Sequence, residues 1–291
     1  VTNRPSCKLA RRGSTAAASG HARAHIALLT CPALSPLCQY HFGKFVNGYI
    51  TGEYFFDIHP PLGKLILALC AWLGGYQGEQ SWKKIGEPIP PGVNLYSLRI
   101  GAALQGALLP PLLYRAGREL GLSRPAALLP AAGVLFDICI MVESRLVLTD
   151  ATLLIGVGLQ LAASFASDHH APLSRAWLLR VAMAGAGISM AVCTKWTGVS
   201  TIATAGLHSL ISLFRGRNRG ATLRQLFSEA CARLVLLLVV PALMYAACFV
   251  VHLQLLPLTG PGAKFMSDTF RGTLGGDAHT PLSLEAHGKE T

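Results

Sequence analysis

Charged residues are scarce in this chain of 291 residues: 13% are Asp, Glu, Lys or Arg, whereas 52% are hydrophobic. A soluble globule of this length needs more polar side chains to cover its surface, so the composition disfavours an ordinary soluble domain and favours a membrane protein. The net charge of +11 does not indicate nucleic-acid binding, because the basic residues alternate with long apolar stretches as they do in membrane proteins.

Paired cysteines and clustered metal ligands are also missing. The eight cysteines show no C-x-x-C spacing, and most lie in apolar stretches, where a thiol behaves as a small hydrophobic side chain. The sequence therefore indicates neither a zinc site nor a disulfide framework. His and carboxylate residues are not grouped at ligand spacing, so we predict no metal and no cofactor.

Residues 1–37 differ from the rest of the chain, because they are basic, rich in Ser and Ala, and contain no acid. This composition is typical of an organellar transit peptide. The apolar stretch at 26–37 is shorter than the roughly 20 residues that a spanning helix requires, and it contains Pro32 and Pro36. We predict that residues 1–37 are disordered, transit-like or wrongly joined to the chain.

Six apolar segments of about spanning length follow. They are 96–114, 126–142, 147–167, 176–194, 197–214 and 234–256. Arginines crowd alternate connections between these segments, and the positive-inside rule places those connections in the cytosol. Arg99, the turn from Glu143 to Asp150, and Lys195 are then predicted on the opposite, lumenal side.

Two shorter amphipathic segments precede the first span. In residues 41–52 and 62–76 the apolar side chains recur at helical spacing, and Lys44 and Asn47 fall on the polar face of the first segment. Both are too short to span, so we predict two interfacial helices on the lumenal membrane surface. Two core helices of a soluble cap are the alternative.

Asp57 and His59 lie between these helices, immediately before Pro60 and Pro61. Pro60 favours an extended conformation at His59, and Pro61 suits the first position of a helix. A carboxylate and an imidazole fixed at a helix start near the bilayer surface are suited to a charged lipid headgroup. Alternatively, Asp57 only caps the helix.

Three further cationic side chains are candidates at the lumenal ends of the spans. Arg99 can donate two hydrogen bonds to a phosphate, or it can be a snorkelling anchor. Arg145 is either functional or part of an ion network with Glu143 and Asp150. Lys195 is either an anion contact or an interface anchor.

Several motifs resemble those of the protein O-mannosyltransferases. His41-Phe-Gly-Lys-Phe45 and Glu53-Tyr-Phe-Phe-Asp-Ile-His-Pro-Pro-Leu-Gly-Lys64 are similar to the first lumenal loop of that family. Later family motifs are resembled by Arg145-Leu-Val-Leu-Thr-Asp150, Cys193-Thr-Lys-Trp-Thr-Gly198 and Gly260-Pro-Gly-Ala-Lys-Phe-Met-Ser267. The resemblance covers about residues 41–280.

The resemblance implies an all-α, polytopic membrane helix bundle of the multi-span (GT-C type) glycosyltransferase class. It implies an enzyme of the endoplasmic-reticulum membrane that transfers mannose, with inversion, from dolichyl phosphate mannose to Ser or Thr of an acceptor polypeptide. It also implies a dimer with a related transferase. Arg99 matches the phosphate-contacting arginine of the family, and a carboxylate is needed to take the proton of the acceptor hydroxyl.

The chain departs from the family at that carboxylate. An Asp-Glu pair is expected just before the His-Phe-Gly triplet, but Cys38 and Gln39 occupy those positions. The resemblance divides the chain into a first lumenal loop at 38–95, a transmembrane bundle at 96–256, and the start of a lumenal loop at 257–291. We expect a fragment that ends before the family's β-trefoil domain and is inactive alone.

Two other classes of protein are alternatives to an enzyme. A non-catalytic membrane subunit can bind the donor lipid or a partner transferase without the acidic pair. A transporter is disfavoured, because it would place its ionisable residues near the bilayer midplane, and here they gather at the ends of the spans.

Overall fold

The computed structural model describes residues 37–80, 82 and 93–276, so residues 1–36 and 277–291 of the predicted terminal segments lie outside the described part. Within it the secondary structure is helical, with two isolated β-bridges that join Leu258 to Glu53 and to Gly275. The helices are α1 Leu37–Thr51, α2 Leu62–Leu73, α3 Leu95–Glu119, α4 Arg124–Phe136, α5 Ile138–Glu143, α6 Asp150–Ser167, α7 Arg175–Val192, α8 Ser200–Asn218, α9 Leu223–Leu234, α10 Val240–Gln254 and α11 Asp268–Arg271.

Four helical segments of the described chain are long and apolar enough to cross a membrane. They are Asp150–Ser167, Arg175–Val192, Trp196–Asn218 and Leu223–Gln254. Each overlaps one of the six predicted spans. The predicted span 96–114 lies within the 25-residue helix α3, which is outside this set, and its crossing of the membrane remains a prediction.

The predicted span 126–142 is wrong as a single helix, because the chain breaks at Asp137 between α4 and α5. Asp137 has an extended conformation, with ψ at 118°. Its carboxylate accepts a hydrogen bond from the backbone N–H of Ile140 at 2.8 Å, so the residue caps a new helix instead of continuing the first. Apolar composition alone did not reveal this break.

The last span begins earlier than the predicted residue 234. A capping box of Thr222 and Gln225 starts the helix, which continues through a π-helical stretch, Val235–Val239, into α10. Pro241 lacks a backbone N–H, so the regular hydrogen-bond ladder is interrupted where the π-helical stretch lies. The 32-residue segment is about 48 Å long at 1.5 Å per residue and exceeds a hydrocarbon core of about 30 Å.

The helices α6 and α7 pack at the centre of the bundle, where two glycines let their backbones approach closely. A Cβ on Gly187 would lie 2.5 Å from the backbone nitrogen of Gln160, and one on Gly156 would lie 2.8 Å from the carbonyl oxygen of Gly187. Small residues at such crossings are a common device of membrane helices, because packing replaces the hydrophobic effect there.

The two ends of the bundle are distinguished by their charged side-chain contacts. At one end His169 bonds the Glu119 carbonyl oxygen at 2.9 Å, and Asp168 contacts His208 and Arg215. These contacts join the C-terminal halves of α3 and α8 to the residues that follow α6, and we call this the arginine end. The opposite end carries residues 53–64, Asp150 and Lys195, and we call it the site end.

Both predicted amphipathic helices are present as α1 and α2. Helix α2 leaves Leu69, Trp72 and Leu73 exposed, as an interfacial helix would, although its position on a membrane surface remains a prediction. The periodicity predicted that Asn47 and Lys44 both face solvent, but Asn47 does not. Its amide donates to the Gln80 carbonyl oxygen at 2.7 Å, because the chain after α2 folds back over α1.

Candidate functional site

The loop between α1 and α2 is held at the site end by the chain that follows α10. The Tyr54 backbone N–H donates to the Leu258 carbonyl oxygen at 2.9 Å, and the Gly262 N–H donates to the Tyr54 carbonyl oxygen at 3.1 Å. A Cβ on Gly260 would lie 2.4 Å from that same Tyr54 oxygen, so this approach requires glycine. The loop is therefore fixed by residues about 200 positions away in sequence.

Asp57 of this loop forms an ion pair with Lys64 in the first turn of α2. The Lys64 side chain is only 2% exposed, and its Nζ also donates to the His59 carbonyl oxygen at 2.6 Å. The ammonium lies over the ring of Phe45, 5.2 Å from the centroid. Burial lowers the pKa of Lys64, and the Asp57 carboxylate partly opposes that shift.

This pair decides between the two interpretations of Asp57. Helix α2 begins after Pro61 without a side-chain cap, so the capping interpretation is wrong, and Pro61 precedes the first helical residue. His59 contributes its carbonyl oxygen to Lys64. The Nδ1 atom of His59 is buried and makes no hydrogen bond within the described residues, which leaves it available to a ligand.

A second ion pair joins Asp150 and Lys195, with 2.5 Å between the Lys195 Nζ and the carboxylate. The two side chains are 20% and 19% exposed, so the pair is accessible to water at its edge. The sequence placed Asp150 in a possible network with Glu143 and Arg145, but the geometry gives it Lys195, from the turn after α7, as a partner.

Backbone and side-chain contacts connect the two ion pairs. The Leu62 N–H donates to the Cys193 carbonyl oxygen at 2.9 Å, and the Trp196 Nε1 donates to the Ile58 carbonyl oxygen at 3.1 Å. A Cβ on Gly63 would lie 2.7 Å from the Thr149 Cβ. The start of α2 is thus packed directly against the chain segments that carry Asp150 and Lys195.

Arg99 is buried in the second turn of α3, beside α2. Its relative exposure is 1%, which does not fit a snorkelling anchor, because an anchor would extend its guanidinium into water. The first turns of α3 contact α2 closely, since a Cβ on Gly101 would lie 2.8 Å from the Cys70 sulfur. This position at the site end suits a cation that binds an anion beneath the loop.

Arg145 lies in the turn between α5 and α6. It lines a cavity of about 300 Å³ between α3 and the broken helix, together with Gly106 and Met141. The half-buried side chain of Arg145 is at the site end. The structure thus brings Asp57 and His59 together with Lys64, and it places Arg99, Arg145 and Lys195 on neighbouring elements.

Two features of the site were not singled out in the sequence. Lys64 appeared only as the last residue of a motif, although a lysine among the apolar residues of α2 was itself a signal of a buried role. His252 was missed entirely: it is buried near the end of α10 and lies 2.7 Å from the Tyr49 hydroxyl through Nδ1. No periodicity connects two residues separated by 203 positions.

Cys38 and Gln39, at the family's acidic positions, lie in the first turn of α1, and their side chains are outside what the structure describes. Within the described residues no group of three or more His, Cys, Asp or Glu side chains is arranged to hold a metal ion. The guanidinium of Arg99 and the ammonium of Lys195 are cationic hydrogen-bond donors that suit an anionic ligand.

A profile of the family described as dolichyl-phosphate-mannose-protein mannosyltransferase matches residues 24–257. Dolichyl-phosphate-mannose--protein mannosyltransferase 4 of Candida albicans is 36% identical over 257 residues, which are 86% of this chain and 33% of that protein. Protein O-mannosyl-transferase 1 of Mus musculus is 34% identical over 257 residues, 85% of this chain and 34% of that protein. The chain thus spans about a third of the length of these relatives.

The fold is similar to a solved structure of the S. cerevisiae protein O-mannosyltransferase Pmt1-Pmt2 complex bound to the sugar donor. The TM-score is 0.79 at 31% identity, over 88% of this chain and 36% of that one. The predicted all-α, multi-pass membrane fold of the GT-C type is confirmed. On these matches, and on the loop motifs that the site end displays, the chain belongs to the dolichyl-phosphate-mannose-protein mannosyltransferase family.

Proposed function

We propose that this protein acts in the transfer of mannose from dolichyl phosphate mannose to Ser or Thr hydroxyls of secretory proteins, in the endoplasmic-reticulum membrane. Family membership and the names of the relatives support this proposal. The observation that carries it is the loop between α1 and α2, residues 52–61, which we call the motif loop. It packs at the site end so that the Asp57 carboxylate and the His59 carbonyl oxygen bind the buried ammonium of Lys64.

The donor is a lipid-borne sugar phosphate, so its binding site must accept a negative charge that grows as the phosphate leaves. We assign Arg99 to that phosphate, because a buried guanidinium donates strong, charge-assisted hydrogen bonds. Lys195 is paired with Asp150 and is suited to a weaker, outer contact. The Nδ1 of His59 offers a further polar contact at the mouth of the site.

The acceptor hydroxyl must lose its proton as it attacks the sugar carbon, and a carboxylate is the suitable base. Neither residue at the family's acidic positions serves this purpose. Gln39 is not a base, and an ordinary thiol such as that of Cys38, with a pKa of about 8.5, is mostly protonated at neutral pH. We therefore assign no catalytic base, and we expect this chain to be inactive as it stands.

A second candidate function follows from the same two positions. A membrane subunit that binds donor lipid, or pairs with an active transferase, needs Arg99 and the packed loop but no base at residues 38 and 39. The solved relative is a complex of two transferases, which supports a dimer with a related transferase as the setting for either function.

Restoring the acidic pair separates the two functions. The change is Cys38→Asp with Gln39→Glu in the full-length protein, assayed in microsomes for mannose transfer from dolichyl phosphate mannose to a Ser/Thr peptide. Because a positioned general base contributes about 10²- to 10⁴-fold, we expect transfer to rise at least tenfold. Adding Arg99→Ala should abolish that gain.

Cys231→Asp is the matched control, because it places a carboxylate on an exposed position of α9, at the arginine end. It should leave transfer at background. If the restored acidic pair gives no gain while the protein inserts normally, the enzyme proposal is wrong and the subunit function is favoured.

A further inference from the structure

Four exposed arginines crowd the turn that joins α8 to α9 at the arginine end. Arg215 and Arg217 lie in the last turn of α8, Arg219 follows that helix, and Arg224 lies in the first turn of α9. The sequence from 169 to 228 contains no Asp or Glu. We call residues 215–224 the arginine turn.

The arginine turn is compact. The Gly220 N–H donates to the Arg217 carbonyl oxygen at 3.1 Å, and the Ala221 N–H donates to the Gly216 carbonyl oxygen at 3.1 Å. A positive φ of 88° at Gly220 allows the chain to reverse there. A Cβ on Gly216 would lie 3.3 Å from the side chain of Leu226, so the end of α8 packs on α9 and the four arginines share one surface.

A fifth arginine, Arg233, attaches α9 to two other helices. It is 4% exposed, and its Nη2 donates to the Ser212 hydroxyl of α8 at 2.9 Å. Its guanidinium lies 5.0 Å from the ring centroid of Trp177 in α7. The arginine turn therefore has a fixed position relative to the bundle.

The charge of the arginine turn is largely uncompensated. Arg215 has a carboxylate neighbour, Asp168, at 3.9 Å. Among the described residues, no ion pair joins Arg217, Arg219 or Arg224 to an acid. The turn thus presents an excess of positive charge to its surroundings.

The turn between α3 and α4, at the same end, differs in this respect. Arg115 forms an ion pair with Glu119, and Arg118 donates to the Leu122 carbonyl oxygen at 2.6 Å. These two arginines find partners within their own turn. A position at the arginine end is therefore not sufficient to leave a cation available to a ligand.

Exposed apolar side chains adjoin the arginine turn on both helices. Phe214 is 68% exposed, Leu223 is 74% exposed and Phe227 is 71% exposed. Cations beside apolar side chains suit a molecule that carries a negative headgroup next to hydrocarbon chains. A nucleic acid or a soluble acidic protein would match the arginines but would not cover the apolar side chains.

We propose that the arginine turn is a binding site for anionic phospholipids, whose phosphate and headgroup carboxylate contact the guanidinium groups while the acyl chains lie along Phe214, Leu223 and Phe227. Clusters of roughly four to eight basic residues beside a spanning helix attract such lipids, and a guanidinium donates two parallel hydrogen bonds to a phosphate. The inference does not depend on the proposed function, because Arg99 and Lys195 lie at the site end.

The test titrates the full chain in detergent with phosphatidylserine or phosphatidylcholine, and native mass spectrometry counts the bound lipids. We expect phosphatidylserine to bind about tenfold more tightly. Each arginine near an anionic headgroup contributes about fivefold in affinity. Arg217→Gln with Arg219→Gln should therefore weaken phosphatidylserine binding at least tenfold and leave phosphatidylcholine binding unchanged.

Arg115→Gln with Arg118→Gln is the matched control, because it removes two charges from the same end of the bundle and should leave phosphatidylserine binding nearly unchanged. Arg217→Lys with Arg219→Lys keeps the charge of the turn and should retain the preference, which separates lost charge from a disturbed backbone. Equal affinities for the two lipids, equal losses in the two glutamine variants, or a lysine variant as weak as its glutamine counterpart would each overturn the site.

Discussion

Lys64 is a charged residue on the packed face of an otherwise apolar helix. Its neighbours on that face, Gly63, Leu67, Ala68 and Ala71, are all buried. Removing an ammonium from water costs several kcal/mol, and here the Asp57 carboxylate, the His59 carbonyl and the aromatic faces of Phe45 and Phe55 offset that cost. An apolar side chain would pack at this position at a lower cost in free energy. We therefore infer that Lys64 serves to position the Asp57 carboxylate and the His59 carbonyl.

Asp57→Asn is expected to lower the free energy of unfolding by about 3 kcal/mol, because it leaves Lys64 buried without its counter-charge. The measurement is thermal unfolding in detergent. Adding Lys64→Met should recover most of the loss.

Asp268→Asn is the matched control for that variant, because it breaks an exposed pair with Arg271 that is expected to contribute well under about 1 kcal/mol. Equal losses of stability from Asp57→Asn and Asp268→Asn would show that the buried ion pair contributes no more than the exposed one.

The sequence identified the individual charges of the site but not their pairings. Asp57 and His59 were found because Pro60 and Pro61 restrict the backbone beside them. The partner of Asp150 was not predictable, because Lys195 is 45 positions away and a one-dimensional pattern contains no information about which helices become neighbours. The burial of Arg99 depends in the same way on how α2 packs against α3.

At the scale of elements, glycines allow a close backbone contact where α6 and α7 cross. Gly187→Ala should lower the free energy of unfolding by about 2 kcal/mol, since the new Cβ would lie 2.5 Å from the Gln160 nitrogen and 2.6 Å from the Gly156 oxygen. Both contacts are to backbone atoms of α6, so a side-chain rotation cannot relieve the clash. The shift in melting temperature in detergent measures the effect.

Gly206→Ala provides the comparison, because a Cβ there has nothing within 4 Å. It replaces a glycine in helix α8 without a clash and should leave stability unchanged or raise it by about 0.5–1 kcal/mol through helix propensity. Similar melting temperatures for the two variants would contradict a backbone contact at the crossing.

Helix existence was predictable from apolar length, whereas helix ends were not. All six apolar segments are mainly helical, because an apolar chain in a bilayer must satisfy its own backbone hydrogen bonds. The break at Asp137 depends on one side-chain to backbone hydrogen bond, and the start at Thr222 depends on the two bonds of its capping box. Such capping residues carry little weight in a hydrophobicity pattern.

At the scale of the whole molecule, the separation of charges predicts one orientation in the membrane. Contacts of His169, Asp168 and Arg215 group the arginine-rich turns at one end, and the positive-inside rule places that end in the cytosol.

Ser267→Asn should therefore acquire a glycan in microsomes, seen as a mass increase that a glycosidase removes. The change completes an Asn-x-Thr acceptor with Thr269, and residue 267 lies 13 positions after the end of α10 at Gln254, on the side that we predict to be lumenal.

Gly220→Ser serves as the control for orientation, because it completes an acceptor at Asn218 in the turn between α8 and α9. That turn is at the arginine end and should stay unmodified. The reverse pattern of glycosylation would invert the orientation and remove the site end from the lumen.

The contact between the motif loop and the chain after α10 can form only after both segments have been synthesised. Residues 53–61 leave the ribosome early, yet their partners Leu258 and Gly262 are made only after every helix between them. During synthesis, at about 5–20 residues per second, the loop must wait at least ten seconds with Tyr49, Tyr54 and Phe55 uncovered. A protein built this way keeps these aromatic side chains uncovered until the chain after α10 has been made.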